Sequence, residues 1–207
     1  MTTRERKNDE LGKATSPGRS VLSSETRAEA FLAPLTTSHP HLLVNGNDDN
    51  FRDSIYLIVE VLGKLTNCRE AFGRSMGLTG SQFAVLIGVA YRQGEEGISI
   101  KRLADYVHLA ATHVTTEVGR LQRKGLLSKQ PGREDRRSVL VRLTPTGEAS
   151  VVAVSAFVRR INDLLFSGIT ARDLAVAKAM FTRLSLNSEV ALAEIKLAER
   201  EAMLLGQ

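Results

Sequence analysis

Basic side chains crowd the middle of this chain. Between Lys101 and Arg142 stand ten of them, Lys101, Arg102, Arg120, Arg123, Lys124, Lys129, Arg133, Arg136, Arg137 and Arg142, against four acidic residues. The stretch is net positive by six, while the whole chain carries +5. Clustered guanidinium and ammonium groups pair with phosphate oxygens, and arginine can also fork onto a base edge. The bland alternative is a solvated basic surface. The tightest knot, Arg133-Glu134-Asp135-Arg136-Arg137, holds two carboxylates among three arginines, so it is no simple charge run. Asp135 reads as the brace of a neighbouring guanidinium through a bidentate pair. Either Arg136 or Arg137 makes that pair, and the other is left for a partner.

Three elements must position these groups. Leu126-Leu127, then a tip with Pro131-Gly132 and the arginine knot, then alternating Val139, Val141 and Leu143 form the pattern of a β-hairpin. Upstream, Ile100, Leu103, Ala104 and Val107 recur at helical spacing, as do Val114, Val118 and Leu121. The two helices are separated by a break at His108 to Ala111, and the second stops at Gly125. Two short helices, a tight turn and a basic hairpin make a helix-turn-helix with a wing. The second helix is the one expected to enter a major groove.

On Leu78-Thr79, Gln82 and Leu86, Leu103-Ala104, the Leu121…Lys124-Gly125-Leu126 turn, Asp135-Arg136-Arg137 and Leu143-Thr144…Gly147, the stretch from Leu78 to Ala149 resembles the MarR family of bacterial transcriptional regulators. Gly119, where the family usually has a longer side chain, and Thr116, where arginine is common, depart from the pattern. The resemblance implies a homodimer whose two recognition helices read a pseudo-palindromic operator on double-stranded DNA. It also implies a small pocket between dimer helices and reading head, filled by an aromatic acid, a phenol or a CoA thioester that releases a repressor. Tyr56, Arg69, Phe72, Arg74, Met76 and Phe83 are the candidates for that lining. Read singly, each aromatic suits a core and each arginine a solvated helix end.

Within the reading head, Thr112, His113, Thr115, Thr116 and Arg120 fall on the front or exposed face of the second helix. Ser99, Lys101, Arg102 and Arg123 are candidate phosphate contacts, with Arg133, Arg136 and Arg137 on the wing. Arg136 is the first candidate for a narrow minor groove, which concentrates negative potential. Arg120 could instead be a solvated surface arginine.

The expected fold is mainly α: a winged helix-turn-helix with a two-stranded β-wing between long N- and C-terminal dimerisation helices. Residues 1–47 read as an extension, polar for its first twenty residues, with a possible short helix at 24–35. Residues 48–77 read as a long helix serving dimer and pocket, 78–147 as the winged domain, and 148–207 as C-terminal dimerisation helices. Broad apolar faces at both ends, such as Val151, Val152, Val154 and Phe157, have no sheet to cover. In 207 residues with 43% hydrophobic content, a second copy is the natural cover.

Other chemistries fit less well. The single cysteine, Cys68, permits no internal disulfide and suits a reducing compartment. The charged N-terminus lacks a secretory signal, and no apolar run reaches a membrane span, so a cytoplasmic protein without membrane contact is expected. Cys68 beside Arg69 leaves a redox switch open, and His39, His41, His108 and His113 leave a metal sensor open, though no spacing matches a zinc site. Neither a catalytic motif nor a phosphate-binding glycine loop is present, so no enzyme activity and no cofactor are expected. A winged helix that binds protein instead of DNA is the remaining alternative.

Overall fold

In the computed structural model, residues 31–132 and 139–205 are described. They form six helices, α1 (Asp49–Ser75), α2 (Gly80–Arg92), α3 (Ile100–Val107), α4 (Ala111–Arg123), α5 (Pro145–Leu165) and α6 (Ala171–Leu205). Three strands, β1 (Ile98–Ser99), β2 (Leu127–Pro131) and β3 (Val139–Leu143), make one antiparallel sheet in the order β1-β3-β2. The chain divides into two units, residues 1–54 and 55–207.

In the first unit, Asp48 is 1% exposed. Its carboxylate accepts from the Thr36 backbone N–H at 2.5 Å and from the Thr36 hydroxyl at 2.7 Å, and it pairs with Arg52. The Thr36 hydroxyl, then its N–H and then the Arg52 charge hold the Asp48 carboxyl below its ordinary range. Asn45-Gly46 turns the chain with both residues at positive φ, bridged by Val44 and Asn47. Residues 31–35 are not helical, and Phe31, Leu32 and Leu35 are exposed, so the helix expected over 24–35 does not reach its predicted end. Apolar spacing alone had suggested it; no packed neighbour supports it there.

In the second unit, α2, α3 and α4 close around a core of Val85, Leu86, Val89, Leu103, Val114, Val118 and Leu121, all at 0% exposure. These are the residues whose 3.6 periodicity the sequence displays. Thr79 caps α2 with a full capping box: its hydroxyl accepts from Gln82 N–H while Gln82 Oε1 accepts from Thr79 N–H. β2 and β3 are the hairpin's two strands, with Lys129 opposite Val141. A third strand, β1, adds to the expected two-stranded wing. Ile98 and Ser99, just before the helical spacing that begins at Ile100, pair with Val141 and Leu140. Ile98 is 2% exposed, and burying it under β3 outweighs one more helical turn.

A second apolar cluster, Phe72, Phe83 and Val154, joins α1, α2 and α5, with Cys68, Phe157, Val158 and Ile161 packed on it. Phe72 stacks at a tilt on Phe83 (5.5 Å between centroids) and edge-on to Phe157 (5.7 Å). α6 differs from the rest: of its larger apolar side chains, Phe181 is 42% exposed, Leu184 45% and Ile195 52%. None of the described helices is long and apolar enough to cross a membrane.

Candidate nucleic-acid interface

α3 and α4 meet in a tight turn because His108 takes a left-handed conformation, φ 53°. Leu109 N–H then reaches back to Ala104 O at 3.2 Å. Ala110 enters α4 without a side-chain cap. The first backbone bond of the helix runs from Val114 N–H to Ala110 O. The N–H groups of Ala111, Thr112 and His113 therefore have no carbonyl of their own helix to reach. A helix end in that state favours a phosphate.

With Val114, Val118 and Leu121 inward, Thr112, Thr116, Gly119 and Arg123 line the opposite face at spacings of four, three and four. His113 and Arg120 flank that face. Thr112, His113, Thr115, Thr116, Arg120 and Arg123 are all exposed, as are Lys101 and Arg102 on α3. The Thr115 hydroxyl donates to Ala111 O at 2.8 Å and the Thr116 hydroxyl to Thr112 O at 3.1 Å. Both protons are spent inside the helix, so these threonines offer methyl groups and lone pairs outward. Ser99, read as a phosphate contact, also caps α3: its Oγ accepts from Arg102 N–H at 3.4 Å. Arg120 Nη1 donates to Glu117 Oε1 at 2.6 Å. Glu117 was not singled out in the sequence, although its place among Val114, Val118 and Leu121 on the inward face is visible there. Of the wing, Lys129 is exposed and Arg142 half-buried. Arg133, Asp135, Arg136 and Arg137 lie outside the described residues.

The reading helix is tied to α5 by one joint. Thr144 Oγ1 donates to Gly125 O at 2.6 Å and accepts from Gly147 N–H at 3.0 Å, while Thr144 N–H donates to Leu126 O at 3.1 Å. Lys124 Nζ adds a bond to Gly77 O at 3.2 Å. Two hollows adjoin this frame. One, of about 350 Å³, is lined by Met76, Leu126 and Phe157 among others. The other, of about 550 Å³, lies among α1, α2 and α5, with Phe72, Phe83, Ile87, Tyr91, Val151, Val154 and Val158 as its apolar walls. Ser155, Arg159, Asn162 and Asp163 give it a polar end. Its size and composition are those of a small-molecule site.

Of the sequence candidates for the pocket, Phe72 and Phe83 line this larger hollow and Met76 the smaller one. Tyr56, at 75% exposure, and the exposed Arg74 line neither, nor does Arg69. Arg69 is half-buried, with its Nε buried and without a hydrogen-bond partner. The cationic group at the hollow is Arg159, which the sequence reading missed. Its position one residue after Val158 on the inward face of α5 is the signal that could have found it.

Residues 78–147 match the family model of a winged helix DNA-binding domain. A curated relative, the transcriptional activatory protein BadR of Rhodopseudomonas palustris, is 37% identical over 71 residues, 34% of this chain. The match spans only 41% of that relative's length. Among solved structures, CouR from Rhodococcus jostii bound to p-coumaroyl-CoA superposes with a TM-score of 0.55 at 23% identity, covering 65% of this chain and 91% of that one. A mutant MarR from E. coli complexed with operator DNA superposes with a TM-score of 0.52 at 24% identity, covering 62% and 91%. The tight α3–α4 turn, the basic outward face of α4 and the hairpin behind it thus lie within the stretch that is similar to a winged helix DNA-binding domain, in a chain whose fold is like that of MarR-family structures.

Proposed function

We propose that this chain is a transcriptional regulator of the MarR type. It binds a pseudo-palindromic operator as a homodimer and is released by a small aromatic acid, phenol or CoA thioester. The observation that carries this reading is α4. One face is wholly buried, and the other presents Thr112, Thr116 and Arg123 with flanking Arg120 and His113. The uncapped start of the helix is ready for a phosphate. Lys101, Arg102 and Arg123 are placed to hold the backbone, and Ser99 retains its hydroxyl proton for the same use. Arg133, Arg136 and Arg137 are proposed for the wing contact, with Asp135 as their brace.

The homodimer rests on α6. Leu174, Ala177, Phe181, Leu184, Ser188, Ala191, Ile195, Ala198 and Ala202 recur at alternating spacings of three and four. That is the spacing of a coiled-coil seam, with alanine or serine at five of the nine positions, and within the chain it is left largely exposed. A second copy supplies the missing surface.

The 550 Å³ hollow is the proposed effector site. Its aromatic walls suit a ring, and Arg159 suits a carboxylate or phosphate. CouR, seen with p-coumaroyl-CoA, makes an aromatic thioester the first compound to try. α5 forms one wall and begins at the Thr144–Gly147 joint, so a ligand that shifts α5 moves the end of α4. Release requires that the ligand bind the shifted state better, not merely tightly. The name of BadR supports a second reading, an activator with the same contacts.

The test is fluorescence anisotropy on the intergenic DNA upstream of the protein's own gene, at several salt concentrations, with aromatic acids and their CoA thioesters added. Steep salt dependence and release by one compound are expected. Binding no tighter than to random DNA would contradict the proposal.

A further inference from the structure

Arg120 is held by a residue of its own helix. Glu117 is 2% exposed and Arg120 50%, and the second carboxylate oxygen, Oε2, is buried without a partner. Glu117 is the only acidic residue of α4. Removing a carboxylate from water this completely is costly, and an apolar side chain beside Val114, Val118 and Leu121 would avoid that cost. An ion pair with a half-exposed arginine returns little stability.

What the pair does accomplish is to fix Arg120. An exposed arginine gives up much rotamer freedom when it binds. With Nη1 on Glu117, that freedom is already restricted, and the other donors of the guanidinium are not used by the pair. The pair is also neutral as a unit, which weakens its attraction to phosphate anywhere along a duplex. The hydrogen bonds that arginine donates to the neutral O6 and N7 of guanine do not need the net charge.

We propose that Glu117 is a positioning residue for DNA reading. It aims Arg120 at a base edge and offsets its charge, so that Arg120 contributes discrimination between sequences in place of general affinity. This rests on the DNA-binding reading above.

The test compares wild type, Glu117→Ala, Glu117→Gln and Arg120→Ala in the full chain. Each is titrated onto a duplex selected from a random pool by wild type and onto a scrambled duplex, across salt concentrations. Glu117→Ala frees a full positive charge. Its binding to scrambled DNA tightens several-fold and its salt slope steepens by about one. Its preference for the selected duplex falls about tenfold. Glu117→Gln keeps an acceptor for Arg120 without the charge, so it shows the same steeper slope while retaining more of the preference. It also serves if the alanine variant does not fold. In an Arg120→Ala background the effect of Glu117→Ala on preference disappears.

A merely structural Glu117 would lower the melting temperature and weaken both duplexes together, with no change of slope, and that result overturns the proposal. A wild-type chain with no preference for any duplex overturns the DNA-reading function itself, and this inference with it.

Discussion

Gly119 sits in the middle of the outward face of α4, and a Cβ built on it meets nothing within 4 Å. Glycine in a helix interior costs about 1 kcal/mol relative to alanine, and no neighbour in the chain requires it here. Under the proposed function, this bare stretch of backbone is where DNA comes close. Gly119→Ala is therefore expected to raise the melting temperature by a few degrees and to weaken operator binding at the same time. Thermal unfolding and anisotropy on one preparation check both signs. A stabilised variant with unchanged affinity would place the DNA away from this face. Thr115 and Thr116 belong to the same surface. Their hydroxyl protons are already bonded to Ala111 and Thr112 carbonyls, so under the proposed function their methyl groups are what they offer to thymine methyls.

At the scale of elements, the joint between α4 and α5 is built on close approach. A Cβ on Gly147 would stand 2.1 Å from Leu126 O, so the first turn of α5 can lie where it does only without a side chain. Gly147→Ala should destabilise the fold by about 1–3 kcal/mol, as overpacking does, read as a lowered urea midpoint. No loss of stability would mean the joint can yield. Much of this frame was legible in the sequence. Leu103, Val114, Val118 and Leu121 announce their helices by spacing, and all four reach the core at 0% exposure.

Three features were not legible, for physical reasons. Ile98-Ser99 gave no strand signal because two residues are too few to show a period of two; only the partner strand β3 makes them a strand. Arg159 was passed over because periodicity reports which face of α5 is apolar and not which helices stand opposite it. Tyr56 was favoured by its aromatic type, yet it lies on the exposed side of α1, at 75% exposure.

For the whole molecule, the exposure of α6 is the observation behind the proposed dimer. Thirty-five residues of helix with Phe181, Leu184 and Ile195 each about half exposed need a cover in water. The chain is expected to sediment as a dimer at micromolar concentration. Deleting residues 186–205 should shift it toward monomer and weaken operator binding, because each half-site then pays separately for association. A truncated chain that remains a dimer of undiminished affinity would remove α6 from the interface. Under the proposed function, two copies related by a two-fold axis set their α4 helices about one turn of DNA apart. In that proposed arrangement, a ligand in the hollow beside α5 need change only the separation of the two helices.

The most direct test of the central claim is hydroxyl-radical and methylation footprinting of the upstream DNA by the full chain. Two-fold symmetric protection is expected, with major-groove contacts in two half-sites about one helical turn apart, lost together when Arg120 and Arg123 are replaced by alanine. Uniform or absent protection, or a footprint indifferent to those two arginines, would contradict it.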